Sequence, residues 1–369
     1  MSRENHSNSI ATGGFGTVAD SSLSRTERTR RMLDLWLLAP LRVVWDDARA
    51  RIGAVLVVGF VFMGVVGPTL VAEPRIGQGS ILVGPFHGGL VGGTWYEFSS
   101  VSLFGVSVPW LALNWPLGTD NVGRGILEQV VHATPRMLTM ITSAGLFVTV
   151  LGTSVGALAG YSGGRVDQAL STVIDIVMTL PGLPLLLILV ALLEPSNPIV
   201  LGLVLSLQAW AGMARAIRSQ VLTIRSTSYV EAARAMGLST PSIVAKEVVP
   251  NIMPFVMINM VNAMRGVIFA SVGLYFLGLL PFKEVVNWGV MLQLAYSNGG
   301  LLTLDAAHWL LVPMVAIVLL SMALILFAQG MDRVFNPRVR ARHANTTVDS
   351  DETDTKSTEE QTTTVGGNL

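Results

Sequence analysis

Ser228-Tyr229-Val230-Glu231-Ala232-Ala233-Arg234-Ala235-Met236-Gly237-Leu238-Ser239-Thr240-Pro241-Ser242-Ile243-Val244-Ala245-Lys246-Glu247-Val248-Val249-Pro250 is a polar insert between two long apolar segments. Its reading decides the fold. Ser228 followed by Glu231 has the spacing of a capping box and predicts a helix start at Ser228. Ala232, Ala233, Ala235 and Met236 continue that helix with good helix formers. Gly237 suits the left-handed position that ends it. Thr240 then caps a second helix with Pro241 at its first position, and Pro250 closes it. A short helix of small residues held at a membrane protein's surface is a shape that docks in another protein's groove.

The segments around the insert set the class. The chain has 369 residues, of which 51% are hydrophobic and 13% charged, and its mean hydropathy is +0.58. Soluble domains carry about 25% charged residues, so the chain reads as an integral membrane protein. The fold class expected is an all-α membrane protein with six transmembrane helices. Residues 53–71 form the first span, at about the length a bilayer requires. Residues 72–130 are too rich in Gly, Pro and polar residues to cross and form a structured extracytoplasmic loop. Within it, Trp95, Tyr96, Trp110 and Trp115 suit an interface belt or a local core. Residues 131–342 hold five further helices, with the coupling insert at 214–250.

The second span is expected over about 137–161. There Gly152, Gly156 and Gly160 recur every four residues and leave one face open to a close neighbour. The third, about 166–193, should kink at Pro181 and Pro184. The fourth covers about 199–213, the fifth about 251–280 and the sixth about 309–327. Residues 1–24 read as a disordered leader and 343–369 as a disordered acidic tail. Residues 25–52 read as an amphipathic cytoplasmic segment.

Charge placement orients the chain. Nineteen of its 24 Lys and Arg residues fall on the side of the two termini and the insert. By the positive-inside rule that side is the cytoplasm of a plasma or inner membrane.

Several chemistries are excluded. There is no cysteine, so disulfides and thiol catalysis are out. The lysines Lys246, Lys283 and Lys356 do not follow a glycine-rich loop, so the chain has no phosphate-cradling nucleotide site. The histidines are scattered, and no metal site, cofactor or nucleic-acid partner is expected. No catalytic pair can be named, which argues against an enzyme. Asp175 and Arg265 are charged residues well inside predicted spans, and such residues are functional candidates. Arg265 lies about 22 Å along the fifth span at 1.5 Å per residue. Asn259, Asn262 and Arg265 recur at three-residue steps as a polar stripe. Either these residues line a water-filled pathway with Asp175, or they make interhelical hydrogen bonds, with Asp175 pairing Arg265.

The insert resembles the coupling loop of ABC importer permeases, specifically the C-type subunit of dipeptide/oligopeptide permeases. That loop carries E-A-A-x-x-x-G, nine residues, then I-x-L-P. Glu231, Ala232, Ala233, Gly237 and Pro250 match it, while Glu247 and Val249 depart from it. Pro116-Leu117-Gly118-Thr119-Asp120 with Gly123-Arg124, Gly160-Tyr161-Ser162-Gly163-Gly164, and Tyr275-Phe276-Leu277-Gly278-Leu279 with Trp288-Gly289 are similar to the same subfamily. The resemblance covers about 30–340. It implies a peptide importer whose pathway is built with a second permease. Two cytoplasmic ATPases would grip the coupling residues Glu231, Ala232, Ala233, Gly237 and Pro250, and an extracytoplasmic binding protein would deliver substrate. Nickel or another solute on the same scaffold is the alternative. A stand-alone secondary transporter would want an internal repeat and ion-coupling carboxylates, for which Asp175 is thin support.

Overall fold

The computed structural model describes residues 45, 47–77, 79–85, 96–103, 106–113, 116–280, 287–302 and 306–335. The expected leader, most of the 25–52 segment and the acidic tail lie outside the described residues.

Helix α1 (Ala48–Val65) begins where the Asp47 side chain accepts a hydrogen bond from the Arg49 amide at 3.1 Å. It runs antiparallel in sequence order beside the last helix, and Gly53 and Gly330 stand where the two backbones come closest. A short turn of helix, α2 (Gly67–Leu70), follows. The loop expected to be merely structured contains an antiparallel hairpin, β1 (Tyr96–Leu103) paired with β2 (Val106–Leu113) from Tyr96 opposite Leu113 to Leu103 opposite Val106. The all-α architecture therefore carries one small β excursion.

Helix α3 (Ile126–Ser162) is the central element and spans 37 residues, about 55 Å. It starts well before the expected 137. The reason is its buried stripe: Ile126, Val130, Ala133, Met137, Met140, Ile141 and Ala144 lie at helical spacing and all face the core. It packs most extensively against α1 and against α4 (Gly164–Thr179), α6 (Pro198–Leu205), α7 (Ala209–Ile224) and α10 (Val249–Phe276).

Two expected spans are broken rather than kinked. Helices α4 and α5 (Gly182–Leu193) meet at 81° across Leu180-Pro181. Leu180 is extended, as the residue before a proline prefers. The carbonyl released there is satisfied by Gln208, whose Nε2 donates to the Leu180 carbonyl oxygen at 2.8 Å. Helices α6 and α7 meet at 56°. α7 then continues to Ile224, eleven residues past the expected end of the fourth span at 213.

The insert follows as α8 (Ser228–Ala235), α9 (Thr240–Ile243) and a π turn over Val244–Val248 that runs straight into α10. α11 (Trp288–Ser297) and α12 (Ala307–Phe335) are the last helices among the described residues. Among the described residues four helices are long and apolar enough to cross a membrane, or six when each bent pair counts as one span. The protein is a multi-pass helical membrane protein.

The interior forms two apolar clusters. One surrounds Trp288, Trp309, Met137 and Met140, with the Trp288 indole donating to the Val130 carbonyl oxygen at 3.3 Å. The other surrounds Trp210, Ile217, Val230 and Ile243 at the insert end of the bundle.

Candidate functional site

The insert is anchored on one face and open on the other. In α8, Val230 and Ala233 are fully buried in the second cluster. Glu231, Ala232, Arg234 and Ala235 are exposed. Large apolar side chains flank α8 in the open: Met236 and Leu238, just past its C-terminal end, are 74% and 42% exposed, and Tyr229 in its first turn is 39% exposed. These three large side chains are what the sequence reading missed. The signal was that Tyr229, Met236 and Leu238 are large apolar side chains in an otherwise small and polar insert.

Gly237 holds the expected left-handed conformation at φ +77°, and the Leu238 amide reaches back to the Ala233 carbonyl oxygen at 3.3 Å. The expected capping box is not formed. Thr227 is the residue before the helix, its own hydroxyl donates to the Ile224 carbonyl oxygen at 2.6 Å, and no side chain caps α8. Ser228 is already inside the helix and so cannot cap it. The second cap is likewise displaced by one residue, with Ser239 preceding the helix and Pro241 second in it.

Pro250 does not close a helix. It sits in the first turn of α10, immediately after the π turn. A proline removes one amide donor and crowds the preceding turn. The wider π turn absorbs that, with the Val249 amide reaching the Val244 carbonyl oxygen. Residues Thr240–Phe276 thereby form one continuous 37-residue span.

The insert is tied to the rest of the bundle through α3. The Arg234 guanidinium sits over the Tyr161 ring at 5.5 Å, and Arg225 Nη1 donates to the Gly160 carbonyl oxygen at 3.4 Å. Above them, Gly152, Gly156 and Gly160 face α7. A methyl group at Gly152 would lie 2.9 Å from Met213 Cβ, and one at Gly160 2.9 Å from Val221 Cβ. The four-residue glycine spacing is thus the α3–α7 contact.

Asp175 and Arg265 do not pair. Asp175 forms an ion pair with Arg215 on α7, and one end of α4 is clamped by a second pair, Asp167 with Arg218 at 2.5 and 2.7 Å. Pairing across 40 residues of sequence leaves no local signal. The proposed polar stripe is also divided. The Asn259 side chain turns back to its own helix, donating to the Phe255 carbonyl oxygen at 2.8 Å. Asn262 and Arg265 instead line a cavity of about 370 Å³ shared with Asp47, Arg49 and Gln329. Among the described residues no group of three or more His, Cys, Asp or Glu could hold a metal ion.

At the opposite end of α3 the Pro116–Arg124 stretch folds into a polar knot. The fully buried Asp120 accepts from the Val122 and Arg124 amides at 2.9 Å, from Arg124 Nε at 2.8 Å and from Gln129 Nε2 at 3.0 Å. Thr119 donates to the Ser80 carbonyl oxygen at 2.6 Å, and His308 Nε2 lies 3.2 Å from the Thr119 carbonyl oxygen.

Comparison with known proteins matches residues 152–341 to the family described as binding-protein-dependent transport system inner membrane component. The chain is 32% identical over 241 residues to a dipeptide transport system permease protein of Bacillus subtilis, covering 65% of this chain and 73% of that relative. It is 24% identical over 327 residues to an oligopeptide transport system permease protein of the same organism, covering 88% and 97%. A chain in a structure of inward-facing conformations of the MetNI methionine ABC transporter is similar at 20% identity and a TM-score of 0.45, covering 56% of this chain and 96% of that one. The chain therefore belongs to the binding-protein-dependent inner membrane transport components, among the permeases of the dipeptide and oligopeptide ABC importers, and is a non-catalytic transport subunit that works with other components of such a system.

Proposed function

We propose that this chain imports short peptides as one of two permease subunits, with both termini and the insert in the cytoplasm. Two ATPase subunits grip α8, and a binding protein delivers peptide from the other side. The observation that carries this reading is the two-faced insert. Val230 and Ala233 fix α8 to its own bundle, while Glu231, Ala232, Met236, Leu238 and Tyr229 stand clear of it. Exposed apolar side chains at the two ends of an otherwise polar helix surface suit docking in a groove. Glu231 in the first turn also suits the positive end of the helix. Closure of the ATPases would push α8 as a rigid lever and, through Arg234–Tyr161, swing α3 between two access states.

The basic excess on the insert side supports the orientation. The broken α4–α5 span supports a second subunit: its Ile176, Leu183, Ile188 and Leu192 are exposed, and α5 finds few neighbours in its own chain. The supporting names of the relatives point to peptides as cargo.

The test is purification in mild detergent from cells expressing the neighbouring subunits. Wild type should bring down an ATPase and, reconstituted with it, take up peptide only with ATP. Glu231→Arg and Gly237→Trp should insert normally yet lose both. Peptide flux through the chain alone, or wild-type uptake by Gly237→Trp, would refute the proposal.

A further inference from the structure

The cavity between the start of α1, α10 and the far half of α12 is lined by no residue of the insert. At about 370 Å³ it falls within the size range of small-molecule sites, roughly 300–1,000 Å³. Its walls include Val261 and Ile325, and its polar groups come from Asp47, Arg49, Asn262 and Arg265. Asp47 is also the cap of α1. Both signs of charge are therefore present in one chamber.

Arg265 is the informative residue. Its Nε is buried and makes no hydrogen bond. Its guanidinium lies 6.0 Å from the Phe269 ring, a contact that leaves the N–H fork open. Arg265 itself is half-buried, but its inward Nε–H without an acceptor is costly, and a carboxylate is the group that satisfies a planar guanidinium with two parallel bonds. Asn262, one turn earlier, is exposed on the same wall and has an amide N–H₂ to add a donor. The sequence reading puts Arg265 about 22 Å along the expected span with Asn262 on the same polar stripe, and polar groups inside a span mark substrate paths.

We propose that Arg265 and Asn262 hold the C-terminal carboxylate of the peptide in transit, which makes this cavity a selectivity subsite of the pathway. The assignment rests on the peptide reading above. Free peptides carry that carboxylate and amidated ones do not.

The test is uptake of alanyl-alanine and of its C-terminal amide by the reconstituted complex. Wild type should favour the free acid. Arg265→Gln should lower that acid-to-amide preference about tenfold, as expected for loss of a hydrogen bond to a charged group. Arg265→Lys, which keeps charge but loses the fork, should recover part of it. Asn262→Leu, at the exposed rim, gives a second variant that spares the buried contact and should reduce the preference in the same direction. An unchanged acid-to-amide ratio in both Arg265→Gln and Asn262→Leu overturns the assignment. So does loss of a co-purifying phospholipid from Arg265→Gln with the ratio unchanged, which would make the cavity a headgroup site. Wild-type uptake of neither peptide sinks the peptide reading first, and this assignment with it.

Discussion

The Arg234 guanidinium lies 5.5 Å from the centre of the Tyr161 ring, so the insert helix is fastened to the last turn of α3. The neighbouring Arg225–Gly160 hydrogen bond works on the same turn. Force applied to α8 thus has a short route into the longest helix of the bundle.

This contact separates coupling from folding. A cation over an aromatic face at an exposed site contributes about 0.5–1 kcal/mol. Arg234→Ala should therefore leave the protein folded, with a double-mutant cycle against Tyr161→Leu giving a coupling energy of that size. Peptide uptake per ATP hydrolysed should fall several-fold in either variant. An unchanged ratio of uptake to hydrolysis would show that the lever acts through another contact.

The knot at the opposite end of α3 predicts a stability effect. Asp120 is fully buried and accepts four hydrogen bonds, and Arg124 and Gln129 both depend on it. Removing one member of a buried charged pair costs about 3–5 kcal/mol because the partner is left unpaired. Asp120→Ala should lower the thermal midpoint in detergent markedly because it strands four donors at once, and Arg124→Met should do less because Asp120 keeps three of its four hydrogen bonds. Equal, small effects would mean that these hydrogen bonds contribute little to stability.

Much of this was legible in the residues, and what was not has a common cause. Gly237 announced its turn because only the local backbone decides it. Gly152, Gly156 and Gly160 announced a close helix contact by spacing alone, though not that the partner is α7. Ser228, Thr240 and Pro250 misled because each motif fits more than one register. Thr227 and Ser239 took the positions before the helices, and the π turn let the chain run through Pro250. The partner of Asp175 was illegible because Arg215 lies on a helix reached only after two breaks. Which residues around α8 face the bundle was likewise not legible: Ala233 is buried and Met236 exposed, although both read only as helix formers.

The glycine face gives a prediction about assembly of the bundle. A side chain at Gly156 would meet the Ala214 carbonyl oxygen and Ile217 Cβ, which are backbone and stem atoms that cannot swing aside. Overpacking of this kind costs about 1–3 kcal/mol or forces a shift. Gly156→Leu should separate α3 from α7, seen as faster proteolysis near 206–208 and lower yield of monodisperse protein. Gly212→Leu on α7 is the control, since nothing lies within 4 Å of a methyl group there. Matching behaviour of the two variants would discount the close contact.

Adjacent alanines in the insert offer the sharpest separation of docking from folding. Ala233 is 2% exposed and packs with Val230 in the bundle interior, whereas Ala232 points away from it. Ala233→Leu overfills a closed space and should destabilise the isolated permease by about 1–3 kcal/mol. Ala232→Glu adds bulk and charge at an exposed position and should change its stability by less than about 0.5 kcal/mol. Association with the ATPase should respond in the opposite order: Ala232→Glu, like Met236→Glu, should weaken co-purification strongly in a permease whose thermal midpoint is unchanged. If Ala232→Glu binds the ATPase as wild type does, the exposed face of α8 is not the surface that is gripped, even though the fold around Ala233 stands.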